Sequence, residues 1–260
     1  MQTLKKLVDK LLGVKILYEG NSEFGSLKVY KEQGTINLTF DNKYIQSSYR
    51  PGKTPTGSVW DYFLIGPLFA PSPNEIKTVC ILGLGAGTAV KLLNQPYKIG
   101  RIVGVEIDKK VVTLGIKYFD LNDNNLEIVI KDASKYIKET QEIFDFILVD
   151  TFFGDKIDPI CSNLKFYADI KKHLSKEGLV LVNRVNTKKQ SEINQKFLQE
   201  FPKLFAQCYA LNVRKNTFYF GLKKPQKNEE ILKRIQNSAA NNKFLSFLKK
   251  LDKNNLIQLW

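Results

Sequence analysis

The chain has 260 residues, of which 43% are hydrophobic, and a formal net charge of +14, which together fit a folded α/β protein with a smaller appended unit. No stretch approaches 18 uninterrupted apolar residues, and the three cysteines contain no C-x-x-C pair, so we expect no membrane span, no structural zinc site and a cytoplasmic location. The lysines lie in separate pairs without interleaved aromatic residues, which disfavours nucleic-acid binding without excluding it.

Residues 1–70 are predicted to form a helix, a small β-hairpin domain and a connector helix. Apolar positions at helical spacing within residues 4–12 predict an amphipathic helix and not a signal peptide. From Val14 to Tyr49, short strands separated by turn residues predict antiparallel hairpins. A proline- and glycine-containing connector follows, and residues 59–69 are predicted to form an apolar helix.

A buried strand that runs into a glycine loop opens the main domain, residues 71–225. Val79–Leu82 is a continuous apolar run, typical of a central parallel strand, and Gly83, Gly85 and Gly87 follow it. The third glycine comes one residue too early for the dinucleotide pattern G-x-G-x-x-G, and no lysine follows as a P-loop requires. The G-x-G-x-G spacing favours a class I methyltransferase-like fold, which binds a sulfonium nucleoside.

Three further predicted strands each end in a carboxylate: Glu106, Asp132 and Asp150. The carboxyl ends of parallel strands meet at one edge of an open α/β sheet, where ligands bind, so we expect these acids to converge. Glu106 stands roughly 20 residues after the first glycine, where such folds hold ribose hydroxyls. For Asp150, a functional role and a structural role as an Asx-turn cap are both open.

Strands and helices alternate through the rest of the domain. Helices are predicted at residues 88–94, 109–119, 133–139, 163–174 and 188–200, and further strands at 178–184, 206–213 and 217–222. The last two strands flank a tight turn and are predicted to pair antiparallel. The predicted fold is therefore a seven-stranded class I methyltransferase-like (Rossmann-like) α/β sheet, preceded by the antiparallel hairpin domain and followed by a helical tail, residues 226–260.

In this order, the segments resemble the spermidine synthase (polyamine aminopropyltransferase) family. The resemblance runs from about Glu19 to Arg184 and is carried by FDNKYIQSSYR, VCILGLGAGT, VGVEID, VIKDA and FDFILVDTFFGD. It implies a transferase of polyamine biosynthesis that moves an aminopropyl group from decarboxylated S-adenosylmethionine to a diamine or polyamine. It also implies no metal, a small-molecule amine acceptor and a homodimer.

The resemblance also implies roles for individual residues. Glu106 would bind the ribose, and Asp132 with Ala133 would contact the adenine. Gln46 would lie close to the nucleoside, and Asp150 would orient or deprotonate the attacking amine.

The glycine loop of Gly83, Gly85 and Gly87 would contact the same nucleoside. Phe153 and Asp155 fall in the loop that would contact the amine substrate.

Three positions depart from the family pattern. Ala86 stands where the family usually has an aspartate, which would attract the free amine of the decarboxylated nucleoside and repel the carboxylate of the intact one. Val59-Trp60 replaces a Tyr-Gln pair, and Phe153 replaces a second acid, for which the nearby Asp155 and Asp158 are candidate substitutes. Two alternatives therefore stay open: an S-adenosylmethionine-dependent methyltransferase on the same scaffold, and a catalytically silent protein that binds a nucleoside or nucleic acid.

Overall fold

The computed structural model describes residues 13–41, 43–53, 55–153, 156–157, 159–186, 191–250 and 256–258. The amphipathic helix predicted within residues 4–12 lies outside these ranges. In the described part of the chain, no helix is both long and apolar enough to cross a membrane.

A four-stranded antiparallel sheet comes first, as the hairpin pattern predicts. Its strands are β1 (Lys15–Ser22), β2 (Gly25–Glu32), β3 (Thr35–Phe40) and β4 (Tyr44–Tyr49), in that spatial order. Gln33 and Gly34 join β2 to β3 with positive φ angles of 47° and 83°, the geometry of a tight hairpin turn. The buried face of this sheet, with Leu27 and Leu38, packs against Phe119.

A mixed sheet of eight strands forms the body of the protein. The remaining strands are β5 (Thr78–Leu82), β6 (Arg101–Glu106), β7 (Leu126–Ile130), β8 (Phe144–Val149), β9 (Phe152–Phe153), β10 (Lys156–Ile157), β11 (Leu174–Val185), β12 (Gln207–Val213), β13 (Asn216–Leu222) and β14 (Leu256–Gln258). Strands β9 and β10 pair with each other, and the other eight follow the order β14-β12-β13-β11-β8-β5-β6-β7. The five strands from β11 to β7 in this order are parallel, and β13, β12 and β14 continue the sheet antiparallel.

The helices lie between the strands. They are α1 (Thr88–Leu93), α2 (Lys109–Tyr118), α3 (Ala133–Glu139), α4 (Leu164–Lys172), α5 (Ser191–Glu200) and α6 (Asn228–Asn241). Side-chain caps fix several of their first turns, because Asp108, Asp132 and Asn163 each accept a backbone N–H from the helix that follows. The connector Val59–Phe69 is a 3₁₀ helix and contains Pro67, which explains its departure from the regular apolar helix predicted.

Apolar side chains cover both faces of the main sheet. Along β5, Val79 and Ile81 join one buried cluster, which includes Phe63 of the connector. The alternate residues Cys80 and Leu82 join a second cluster on the opposite face. With both faces covered, the exposed polar groups of the parallel strands are concentrated at their ends.

The seven predicted strands are present, and the tail adds an eighth. Helix α6 buries Ile231 and Ile235 against the main cluster, as an amphipathic tail helix would. Leu256–Gln258 then pairs antiparallel with the outer edge of β12, so the tail is not helical throughout. Three residues are too few to establish a strand period in a sequence, which is why the helical prediction failed there.

Strand β4 is fastened to the glycine loop and the start of α1. The Thr88 hydroxyl accepts the Ser48 N–H at 3.0 Å and donates to the Ser48 carbonyl at 3.1 Å. The Ala86 N–H donates to the Ser47 hydroxyl at 2.9 Å. These bonds set the position of the hairpin sheet over the carboxyl ends of the main strands.

Thr88→Val removes both Ser48 bonds while keeping the side-chain shape. We expect the free energy of unfolding to fall by about 1–3 kcal/mol, because two backbone groups lose their partner. Chemical denaturation measures the change. Thr113→Val is the control, since the exposed Thr113 hydroxyl bonds only within α2, at 2.9 Å to the Lys109 carbonyl, among the described residues. An equal loss in both variants would contradict a specific role for Thr88.

Candidate functional site

A cavity of about 700 Å³ lies at the carboxyl ends of the parallel strands. It sits where the strand order changes direction, with β6 on one side of β5 and β8 on the other. The sequence-predicted residues on its wall are Gln46, Gly83, Gly85, Glu106, Asp132, Ala133 and Asp150. The structure therefore brings together seven side-chain or backbone positions that are spread over a hundred residues of sequence.

Three predicted site residues are not placed on this wall. Gly87 does not line the cavity as the described residues define it; its φ is 94°, and an added Cβ would overlap Leu121. The structure thus explains Gly87 by the turn into α1 and by packing. Phe153 belongs to β9, but its side chain lies outside the described part, as does Asp155 altogether.

The first two glycines allow neighbouring strands to approach the loop closely, Gly83 against backbone and Gly85 against a side chain. Gly83 has φ 91°, and a Cβ there would overlap the carbonyl oxygen of Asp150. Gly85 has φ 57°, and its Cβ would lie 2.8 Å from the Ser47 hydroxyl. A side chain at either position would push apart the strands that form the cavity.

Glu106 connects the glycine loop to the turn after β6. Its Oε2 accepts the Gly85 N–H at 2.8 Å, and its Oε1 accepts the Asp108 N–H at 3.0 Å. Burial raises the pKa of Glu106, and the two N–H donors offset part of that rise. Each carboxylate oxygen has a second lone pair, so this side chain can also accept hydrogen bonds from two vicinal hydroxyls.

Asp132 caps helix α3 at the end of β7. Its Oδ1 accepts the Lys135 N–H at 2.9 Å and the Ser134 hydroxyl at 2.6 Å. Burial raises the pKa of Asp132, but the hydrogen bonds from Ser134 and Lys135 lower it by more than burial raises it. The pKa of Asp132 therefore lies below its ordinary value. The group is therefore a fixed anion at neutral pH.

Asp150 is held differently from the other two acids. Its Oδ1 accepts a hydrogen bond of 2.8 Å from the side-chain amide of Asn183, on the neighbouring strand β11. Burial raises its pKa to about 7; the Asn183 bond lowers it, and the nearby Glu106 charge raises it. This carboxyl therefore exchanges its proton near neutral pH. The bond that the structure gives it runs across the sheet, whereas an Asx-turn cap would bond locally.

Sequence reasoning missed two polar residues of the wall. Asn183 is 5% exposed and lies near the carboxyl end of β11, and Asn216 begins β13. The amide of Asn216 donates to the Asn183 side-chain oxygen at 2.8 Å. The available signal was Asn183, a polar residue near the end of the apolar run GLVLVNRV. The three acids were selected because they stand at the ends of such strands.

The residues that depart from the family pattern lie in different environments. Val59 and Trp60 line the cavity. Ala86 is fully buried and packs with the apolar residues of the hairpin sheet, including Leu27 and Val29. The side chain at position 86 thus faces the core between the two sheets.

The fold and the rim of acids define a class I methyltransferase-like α/β protein of the kind that includes spermidine synthases. The spermidine synthase from Thermotoga maritima superposes with a TM-score of 0.67 at 16% identity, covering 83% of this chain and 75% of that one. Human methyltransferase-like protein 13, solved with SAH, gives 0.57 at 19% identity, covering 75% and 91%. At these identities the likeness shows the fold alone.

Sequence comparison then defines the family. Residues 65–227 match the family described as "Spermine/spermidine synthase domain", and the chain belongs to it. A polyamine aminopropyltransferase of Vibrio vulnificus is 33% identical over 184 residues, 67% of this chain and 60% of that protein. A probable polyamine aminopropyl transferase of Bifidobacterium longum is 30% identical over 169 residues, 65% of this chain. The chain matches 37% of the length of the Bifidobacterium protein and 64% of a Thermoplasma acidophilum relative.

Ala86→Asp would introduce the family's usual aspartate into an apolar environment. We expect it to reduce the free energy of unfolding by about 3–5 kcal/mol, because the new charge has no partner in that cluster. Ala240→Asp, at an exposed position of α6, is the control and should cost about 0.7 kcal/mol or less. Denaturant titrations of both variants measure this. Equal stability of Ala86→Asp and wild type would show that the side chain at position 86 reaches solvent or the cavity.

Proposed function

We propose that this protein transfers an aminopropyl group from decarboxylated S-adenosylmethionine to a small diamine or polyamine. The observation that carries the proposal is the meeting of Glu106, Asp132 and Asp150 around one cavity beside the glycine loop. Relatives named polyamine aminopropyltransferase support the reaction class. A spermidine synthase solved with the transition state analogue AdoDATO, at a TM-score of 0.66 and 17% identity, has the same fold.

In this proposal the nucleoside lies along the strand ends. Glu106 accepts the ribose hydroxyls, and its backbone bonds to Gly85 and Asp108 hold it in place beforehand. Asp132 and Ala133, at the start of α3, contact the adenine. Gln46 reaches the same cavity from β4, whose position is set by Thr88.

The reaction is a displacement at carbon. The lone pair of the acceptor amine forms the new C–N bond, and the C–S bond breaks with its electrons going to sulfur, which leaves as a neutral thioether. At neutral pH the acceptor amine is an ammonium without a free lone pair, so before the attack it must give one proton to Asp150. A carboxyl group whose pKa is about 7 is suited to take up that proton at neutral pH.

A methyltransferase using intact S-adenosylmethionine is the second candidate. It is favoured by the alanine at position 86, because this chain lacks the aspartate that the family usually has there and that would repel a donor carboxylate. Three lysines on the wall are compatible with such a carboxylate: Lys43, Lys131 and Lys215. For the aminopropyltransferase we also propose the homodimer and the cytoplasmic location that the family resemblance implies.

The two candidates are separated by one paired assay. Purified protein is incubated with a diamine and either decarboxylated or intact S-adenosylmethionine, and products are identified by mass spectrometry. We expect an aminopropylated amine from the decarboxylated donor. A methylated product from the intact donor would replace our proposal by the second candidate, and no product from a range of amines with either donor would contradict both.

Asp150→Asn removes the proton acceptor and preserves the shape of the side chain. We expect kcat to fall by about 10²–10⁴-fold while the donor still binds. Since burial opposes ionisation of Asp150, the variant should be at least as stable as wild type at pH 8.

Asp145→Asn is the matched control, at the opposite end of β8. The Asp145 carboxylate accepts the N–H groups of Lys77 and Thr78, at 2.9 and 3.0 Å. The control should lose stability and keep its kcat. Wild-type kcat in Asp150→Asn would contradict the proton-acceptor role.

The pH dependence of the reaction rate follows from the titration of Asp150. The ionised form of Asp150 is the active one, and its pKa is raised to about 7, so kcat/KM should rise with pH up to about 7 and then level off. Below that value, the rate should fall about tenfold per pH unit. A rate that stays constant from pH 5 to pH 8, measured at saturating and at limiting amine, would contradict the assignment.

A further inference from the structure

We propose that Asn183 and Asn216 are positioning residues, which hold the Oδ1 atom of Asp150 as a hydrogen-bond acceptor and leave Oδ2 as the oxygen that takes the proton. This rests on the proposed function in so far as the proton comes from the amine. The arrangement of the three side chains itself does not depend on the reaction.

The geometry links three strands through two hydrogen bonds. Asn183 donates to Asp150 at 2.8 Å, and Asn216 donates to Asn183 at 2.8 Å. In the parallel pairing of β11 with β8, Val182 lies opposite Val149, so the next residue on each strand is Asn183 and Asp150. Sheet register, rather than a flexible loop, therefore places Asn183 against the carboxylate, and Asn216 reaches it only through Asn183.

Because an ionised carboxylate only accepts hydrogen bonds, the donors in this chain must run from Asn216 through Asn183 to Asp150. An ionised carboxylate can only accept, so Asn183 must turn its NH₂ group toward Asp150. Its oxygen then faces Asn216, which must in turn present its own NH₂ group. Both amide dipoles point toward the carboxylate, and hydrogen bonds in such a chain strengthen one another.

The consequence concerns which oxygen reacts. Oδ1 already receives the Asn183 hydrogen, so a proton placed there would weaken that hydrogen bond, whereas a proton on Oδ2 leaves it intact. When the acceptor ammonium gives up its proton before the attack, an N–H bond breaks and the new O–H bond forms at Oδ2. The electron pair of the broken N–H bond stays on nitrogen, so charge and atoms balance.

Other charged groups face the same cavity and contribute to the titration of Asp150. The acids are Glu106, Asp108 and Asp132, and the cations are Lys43, Lys131 and Lys215. None of them changes in the variants proposed here, so a change in the Asp150 titration reports the amide chain.

The test measures the Asp150 titration directly, by carbon-detected NMR of side-chain-labelled protein. Asn183→Leu removes the donor while keeping the volume, and the pKa of the Asp150 carboxyl should rise by about one unit, as the loss of a hydrogen bond to a charged group predicts. Asn216→Ala should raise it in the same direction by less. Asn212→Leu is the control: this exposed amide of β12 accepts the Thr217 hydroxyl at 2.7 Å.

Kinetics provide the second readout. The acidic limb of the pH–rate profile should move to higher pH by the same amount as the pKa, with kcat reduced at pH 7 and the donor KM unchanged. If the wild type turns over no donor, the proposed function fails, whereas the NMR titration still decides the role of the two asparagines.

The inference is overturned if Asp150 titrates alike in wild type, Asn183→Leu and Asn216→Ala, or if Asn212→Leu shifts it as much. Should Asn183→Leu not fold, the Asn216→Ala titration decides, with an unchanged pKa overturning the proposal and a raised pKa supporting it.

Discussion

One carboxylate that receives two backbone N–H groups organises this site. Glu106 accepts from Gly85 in the glycine loop and from Asp108 in the turn before α2. The loop must therefore lie against the end of β6, and Gly83 then meets the end of β8 so closely that no side chain fits. The cavity exists because three strand ends are tied together in this way, and the hairpin sheet closes over it through Ser47 and Thr88.

The three acids at the rim differ in environment, and this separates their roles. Hydrogen bonds keep the pKa of Asp132 below its ordinary value, so it stays charged. Burial raises the pKa of Glu106, and each of its oxygens accepts one backbone N–H and keeps a second lone pair for a ligand. Burial raises the pKa of Asp150 to about 7, and the side-chain amide of Asn183 donates to one of its oxygens. A fold that separates pKa values in this way can hold a ligand with some acids and exchange a proton with another.

Much of this site follows from local patterns in the sequence. An apolar run ending in glycines and three strands ending in acids are visible without any structure, and the rule that parallel strand ends share an edge predicts their convergence. Asn183 and Asn216 were missed because their function depends on which strands are neighbours, and that is a property of the whole sheet. The environment of Ala86 depends likewise on how the hairpin sheet packs against the main sheet. The formation of β14 depends on the free edge of β12, which exists only in the folded protein.

Family membership and a shared fold leave the reaction to be established for this chain, because one scaffold supports several chemistries. The acids on the wall favour an amine substrate beside a nucleoside, whereas the buried Ala86 removes one feature that would select the decarboxylated donor. Within the described ranges, no group of three or more His, Cys, Asp or Glu side chains could hold a metal ion. In the proposed reaction, the chain's own residues position the two substrates and move the proton.

The proposed function depends on Glu106 binding the ribose of a sulfonium nucleoside in this cavity. Its contribution is measured by isothermal titration of decarboxylated S-adenosylmethionine into wild type and into Glu106→Gln, with folding of both checked by circular dichroism. We expect saturable binding to wild type and an affinity about 10- to 150-fold lower in the variant, equivalent to losing hydrogen bonds to a charged group. Equal affinity in the two proteins, or no binding to the wild type, would contradict it.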